Sequence, residues 1–147
     1  MKNILVALDL SPATMHLLEV SRALAGPLDS KLWLVHVAAP EPDFVGLRTG
    51  PQHVREHRAD VLRKEHVEMQ AMAQELKSHG VNAEALLIQG PTSETLLLEA
   101  ERLNVELIIM GSHGRSGLFK ALLGSVSEQV LGQSKVPVLI VPTNDRN

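Results

Sequence analysis

The chain alternates short runs of Val, Ile and Leu with longer segments in which apolar residues recur at helical spacing. Such runs are typical of parallel strands that are buried on both faces, and parallel strands need helical crossovers. The pattern predicts five strands, at Ile4–Leu8, Leu32–Val37, Ala83–Ile88, Leu107–Met110 and Val138–Val141. We therefore expect an α/β fold, an open doubly wound sheet with helices on both faces.

Capping and helix-breaking residues predict where the first helix begins and ends. Ser11 is a suitable cap and Pro12 a suitable first helical residue, whereas Gly26-Pro27 is expected to stop the helix. The stretch Ala38–Gln52 is rich in Pro and Gly and predicts a long surface loop, which is either a lid or a plain crossover.

Two further helices follow the same logic. A charged helix is predicted from about His53 to His79, and Gly80 is expected to end it. The next helix is predicted to begin after Gly90-Pro91, with Thr92 or Ser93 as its cap.

Composition excludes several classes of protein. The 147 residues suit one domain, residues 1–147, and neither disulfides nor cysteine-ligated metals are possible because the chain has no cysteine. A net charge of -3, with one Trp and two Phe, argues against nucleic-acid binding. No apolar run is long enough to span a membrane or to serve as a secretory signal, so we expect a soluble cytoplasmic protein.

The segment after the fourth predicted strand carries the strongest chemical signal. Four glycines occur within it, at Gly111, Gly114, Gly117 and Gly124. Glycines allow backbone amides to approach an anion closely. Ser125 and Glu128 match a capping box, which predicts a helix starting just after Gly124-Ser125 with its positive end facing the same loop. The segment therefore predicts a phosphate site.

Other familiar phosphate loops do not match. The segment lacks the GxxxxGK[ST] pattern, and the first strand is followed by Asp9-Leu10-Ser11 instead of a GxGxxG turn. His53 and His57 lie four residues apart without an HExxH pattern, so no metal site is predicted there. No catalytic residue is assigned, since no Ser, His and Asp constellation accompanies His113.

Three separated motifs resemble those of the universal stress protein family. Gly111, two residues, Gly114, nine residues and then Gly124-Ser125 is similar to that family's ATP-binding signature. The opening Lys2–Ser11 resembles its first strand and Asp-x-Ser turn, Leu107–Gly114 its strand ending in MGSHG, and Val136–Pro142 its last strand. The motifs agree in order and spacing along the whole chain.

The resemblance implies a Rossmann-like sheet of order 3-2-1-4-5 and bound ATP, with ADP or AMP as alternatives. It also implies a homodimer that pairs through the last strand, Val138, Leu139, Ile140 and Val141; an uncovered apolar edge strand independently favours association. By position, the implied nucleotide-binding residues are Ala7, Leu8, Asp9, Val37, Met110, Gly111, His113, Gly114, Arg115, Gly124, Ser125 and Val126.

The functional expectation is an ATP-binding, nucleotide-dependent regulatory protein of the stress response that acts on a protein partner the sequence does not identify. A Mg²⁺ or Mn²⁺ ion can bridge the phosphates, although no carboxylate pair is reserved for it. Two alternatives stay open: a slow ATPase or nucleotide-transferring enzyme on the same fold, and a dimeric interaction module that binds no nucleotide.

Overall fold

A computed structural model describes residues 1–38, 52–113 and 123–143 of the chain. Strands and helices alternate along it. The strands are β1 (Asn3–Ala7), β2 (Lys31–Ala38), β3 (Ala83–Gln89), β4 (Leu107–Gly111) and β5 (Val138–Val141), and the helices are α1 (Thr14–Leu28), α2 (Gln52–Ser78), α3 (Thr92–Arg102) and α4 (Ser125–Gln133). The five predicted strands are confirmed, because no predicted strand end differs from the observed one by more than one residue.

The strands form one parallel sheet in the order β3-β2-β1-β4-β5, which confirms the predicted doubly wound, Rossmann-like arrangement. β1 lies in the centre, and its Val6 is in register with Leu34 of β2 and Ile109 of β4. The chain order reverses on either side of β1, so the carboxyl ends of β1, β2 and β4 meet at the switch point where such sheets bind ligands.

Each strand contributes alternate side chains to two cores, one on each face of the sheet. On one face Ile4, Val6 and Leu34 pack with residues of α1 and α2, including Leu17 and Met69. On the other face, β1 and β2 residues pack with α3 and α4, the members being Leu5, Val35, Leu96, Ala100 and Val130 among others. The helices are therefore shared equally between the two faces.

Three helices end in the same way. The residue after the last turn adopts a left-handed conformation at Asp29, Gly80 and Asn104. The following amide then bonds back over the turn: Ser30 N donates to Ala25 O, Val81 N to Leu76 O, and Val105 N to Ala100 O. These are Schellman motifs, which Gly, Asn and Asp tolerate. The predicted end at Gly80 is confirmed, but the predicted stop at Gly26-Pro27 is wrong, because α1 continues to its Schellman motif at Asp29.

The predicted helix caps are also wrong. Ala13, Pro91 and Gly124 are the N-cap residues of α1, α3 and α4, and none makes a side-chain cap hydrogen bond. Ser11 closes a turn ahead of α1 instead, since its Oγ accepts a hydrogen bond from Ala13 N and its carbonyl oxygen accepts one from Thr14 N. Helix α4 begins at Ser125, yet Ser125 is inside its first turn and does not form the predicted capping box with Glu128.

The predicted surface loop, apart from its end residues Ala38 and Gln52, lies outside the described residues, as do Gly114, Arg115 and Gly117. Within the described ranges, no helix combines the length and the apolar character that crossing a bilayer requires.

Candidate functional site

A cavity of about 240 Å³ opens at the carboxyl ends of β1, β2 and β4. Its walls come from strand ends, from the first turns of three helices and from the residue just beyond the last strand. The lining residues are Ala7, Leu8, Asp9, Ser11, Ala13, Thr14, Leu17, Val35, His36, Val37, Thr92, Leu96, Met110, Gly111, His113, Val126, Ser127 and Thr143. The topology thus gathers residues from nearly the full length of the chain into one site.

The structure brings most of the sequence-predicted residues together. Eight of them line the cavity: Ala7, Leu8, Asp9, Val37, Met110, Gly111, His113 and Val126. Gly124 and Ser125 lie at the start of α4, adjacent in sequence to Val126, but do not line the cavity. Gly114 and Arg115 fall outside the described residues.

Three helices present their amino-terminal ends to this cavity. Thr14 of α1, Thr92 of α3, and Val126 with Ser127 of α4 all belong to it. Because no N-cap side chain bonds to the first turn of these helices, the caps leave some of the first-turn amides without a side-chain acceptor. Such ends carry partial positive charge and attract anions, so their convergence favours an anionic ligand.

The turn between β1 and α1 has an unusual backbone. Leu10 adopts φ 59, a left-handed conformation that a bulky side chain seldom takes. Its neighbour Asp9 holds the turn in place, since Asp9 Oδ1 accepts a hydrogen bond from Ser11 N at 3.0 Å. Asp9 is the one carboxylate among the described lining residues. Asp9 therefore lines the cavity at the carboxyl end of β1 and also stabilises the turn that follows this strand.

Thr14 is a lining residue with an unsatisfied hydroxyl. The residue is only 4% exposed, and its Oγ1 has no hydrogen-bond partner among the described residues. A buried polar atom without a partner is costly, so such an atom beside a cavity is a marker of a ligand contact. The sequence did not indicate Thr14, because the predicted helix cap was Ser11, three residues earlier in the chain.

His36 lines the cavity from β2 and links three elements. Its Nδ1 lies 2.8 Å from the carbonyl oxygen of Leu8, and its Nε2 lies 2.9 Å from Glu65 Oε2 on α2. Because a carbonyl oxygen can only accept, Nδ1 is the donor to Leu8. Both ring nitrogens of His36 therefore have partners within the protein.

The end of β4 is held by neighbouring segments. Ser112 N donates to Val141 O at 2.8 Å, and Gly124 N donates to Ser112 O at 2.6 Å. Ser127 Oγ donates to Gly111 O at 2.6 Å. The segment Gly111–His113 is therefore fixed between β5 and the start of α4.

Thr143 is the lining residue with the least sequence signal. It lies two residues beyond β5, outside every motif, and only the parallel topology indicates that the end of β5 reaches the same edge as the ends of β1 and β4.

The charged groups of the site are few. The described residues contain no group of three or more His, Asp or Glu side chains placed to hold a metal ion. The hydrogen bond from Arg102 to Glu99 raises the pKa of Arg102, but this pair is at the end of α3 and neither residue lines the cavity.

Comparison with known proteins shows to which family the chain belongs. A family model described as the universal stress protein family matches residues 1–142. The chain belongs to the universal stress protein family. Universal stress protein YxiE of Bacillus subtilis is 35% identical over 144 residues, which cover 95% of this chain and 97% of the relative. A universal stress protein from Thermus aquaticus is 34% identical over 141 residues, covering 95% and 98%.

Solved structures show the same fold. The structure of protein MJ0577, from Methanocaldococcus jannaschii, superposes with a TM-score of 0.84 at 28% identity, covering 99% of this chain and 98% of that chain. Two more distant universal stress proteins share the fold at TM-scores of 0.70 and 0.64, with 22% and 17% identity. The first was solved in complex with cAMP, and the second, from Archaeoglobus fulgidus, in complex with dAMP.

Proposed function

We propose that this universal stress protein binds an adenine nucleotide, ATP in the first instance, in the cavity at the switch point of the sheet, and that it acts as a nucleotide-dependent regulatory homodimer. The observation that carries the proposal is the convergence of three helix amino termini on one cavity. Phosphate groups are the common ligands of such ends in parallel α/β sheets.

The cavity combines two chemistries that a nucleotide needs. Apolar side chains, among them Val37, Leu96 and Met110, form a wall suited to a flat base. The helix ends and the hydroxyl groups of Thr14 and Ser127 lie at polar parts of the same lining. The cAMP and dAMP complexes of the two distant family members support an adenine nucleotide as the class of ligand.

A divalent ion in this cavity would be bound mainly by oxygen atoms of the nucleotide. Mg²⁺ in nucleotide sites is commonly bound by one or two carboxylates together with phosphate oxygens. Asp9 is the described lining carboxylate that can serve this way, so Mg²⁺ or Mn²⁺ would be held by Asp9 and by the phosphates.

Calorimetric titration of the full chain with ATP, ADP and AMP, with and without Mg²⁺, tests the proposal. We expect a dissociation constant in the micromolar range, equivalent to about −8 kcal/mol. The test variant is Gly124→Val, which places a branched side chain at the N-cap of α4, next to the helix end whose Val126 and Ser127 line the cavity. Its matched control is Gly132→Val, in the same helix, where an added Cβ would meet nothing within 4 Å.

Binding that weakens at least about tenfold in Gly124→Val but not in Gly132→Val supports the site. Circular dichroism establishes that both variants are folded. Wild-type protein that binds none of the three nucleotides overturns the proposal and favours a nucleotide-free interaction module. A phosphate-release assay on the same samples separates binding from catalysis: steady release that disappears in His113→Ala would place the protein among enzymes.

A further inference from the structure

Thr143 makes a compact set of contacts with the end of β4. Its Oγ1 donates to His113 O at 3.0 Å and accepts a hydrogen bond from His113 N at 3.1 Å. Its own backbone N donates to Ser112 Oγ at 3.0 Å. Thr143, which lies two residues after the edge strand, therefore binds the backbone N and O of His113 and the side chain of Ser112.

We propose that Thr143 is a positioning residue of the nucleotide site, which holds the Gly111–His113 segment in the conformation that receives the ligand. The inference rests on the proposed nucleotide-binding function. It adds Thr143, two residues after β5, to the part of the site that Gly111 and His113 form at the end of β4.

The chemistry of the hydroxyl explains why Thr suits this position. A hydroxyl has one proton to donate and lone pairs to accept with, so a single atom can satisfy both the amide and the carbonyl group of His113. A carboxylate or an ammonium group can serve only one of them. Thr143 and His113 are both half-buried, where a backbone group left without a partner is penalised.

The methyl group of Thr143 has a separate role beside Gly111. A Cβ added to Gly111 would lie 2.7 Å from Thr143 Cγ2, closer than real Cβ atoms approach. The absence of a side chain at Gly111 therefore allows Thr143 to pack directly against the backbone of β4. The hydroxyl binds His113 while the methyl group contacts Gly111.

The roles of the hydroxyl group and the methyl group of Thr143 can be tested separately. Thr143→Val keeps the shape but removes the hydroxyl, and Thr143→Ser keeps the hydroxyl but removes the methyl group. We measure hydrogen exchange of the His113 amide by NMR without nucleotide, and the dissociation constant for ATP by calorimetry. Circular dichroism and urea titration establish that each variant is folded.

We expect Thr143→Val to exchange the His113 amide about tenfold faster and to bind ATP about tenfold more weakly, the loss typical of one to two neutral hydrogen bonds. Thr143→Ser should stay close to the wild type in both measurements. Unchanged exchange in Thr143→Val would overturn the contact itself, and wild-type affinity despite faster exchange would overturn its role in binding. If the wild type binds no nucleotide, the proposed function fails, and the exchange measurement still decides whether Thr143 holds this segment.

Discussion

His36 Nε2 lies 2.9 Å from Glu65 Oε2, so a side chain of the central sheet is tied to the middle of α2. The side chains are only 11% and 19% exposed. His36 also donates to the carbonyl oxygen of Leu8 through Nδ1, so this single ring fixes α2 relative to the start of the β1–α1 turn. Glu65 itself does not line the cavity, yet it orients a residue that does.

Removal of this carboxylate should destabilise the fold. We expect Glu65→Ala to lower the free energy of unfolding by about 1–3 kcal/mol, because a hydrogen bond between largely buried groups is lost. Glu68→Ala, an exposed position in the same helix, should stay within about 0.5 kcal/mol of the wild type. Urea titration measures both, and equal effects would contradict a structural role for the His36–Glu65 pair.

A side chain at Gly111 should be poorly tolerated. Gly111→Ala would bring a Cβ to 2.7 Å from Thr143 Cγ2, and overpacking of this kind typically costs about 1–3 kcal/mol. Gly132→Ala, where the same Cβ meets nothing within 4 Å inside α4, should be neutral or stabilising by up to about 1 kcal/mol. Thermal or urea unfolding compares the pair, and a Gly111→Ala protein as stable as Gly132→Ala would refute the close packing.

Removal of the unsatisfied Thr14 hydroxyl should have opposite effects on the stability of the free protein and on ATP binding. Thr14→Val removes a buried polar atom that has no partner in the described part of the chain, so the free protein should gain up to about 1 kcal/mol of stability. The same variant should bind ATP more weakly if the hydroxyl contacts the ligand. Ser21→Ala is the contrasting control in α1, because Ser21 Oγ donates to Leu17 O at 2.8 Å and its loss should cost about 0.5–1.5 kcal/mol.

The proposed dimer predicts a charge effect at the edge strand. β5 ends the sheet, and Ile140→Lys places an ammonium group on the strand through which two copies would pair. Leu98→Lys makes a comparable change on α3, where Leu98 is 66% exposed. Sedimentation analysis should show a dimer for the wild type and for Leu98→Lys, and a monomer for Ile140→Lys. A monomeric wild type would remove the dimer from the proposal.

Strands β1, β2 and β4 were predictable because they are largely buried on both faces, which requires continuous apolar runs such as Ile4–Val6. The end of α1 and the helix caps were not, although the end of α2 at Gly80 was. At the end of α1, backbone hydrogen bonds around Asp29 outweigh the Gly26-Pro27 signal, and Pro27 is accommodated inside the last turn. The predicted cap at Ser11 did not form, because Ser11 uses its side chain in the turn that precedes α1.

Lining residues of the cavity were predictable where a motif marks them and not where the topology alone brings them there. Asp9, Gly111 and His113 belong to recognisable segments, and the structure places them around one cavity. Thr14 and Thr143 carry no pattern, because their positions follow from the start of a helix and from the end of the edge strand. Such contacts depend on tertiary packing, which periodicity and spacing do not specify.

The lining of the cavity extends from Ala7, at the end of the first strand, to Thr143, just after the last. A ligand held by both can bind only while the two ends of the chain are folded together. Fraying of β5 or detachment of α1 would each dismantle part of the cavity, so occupancy would raise the free energy of every such partial opening. Bound nucleotide would thus couple α1 and β5 to the centre of the sheet, so that these elements would open less often on their own.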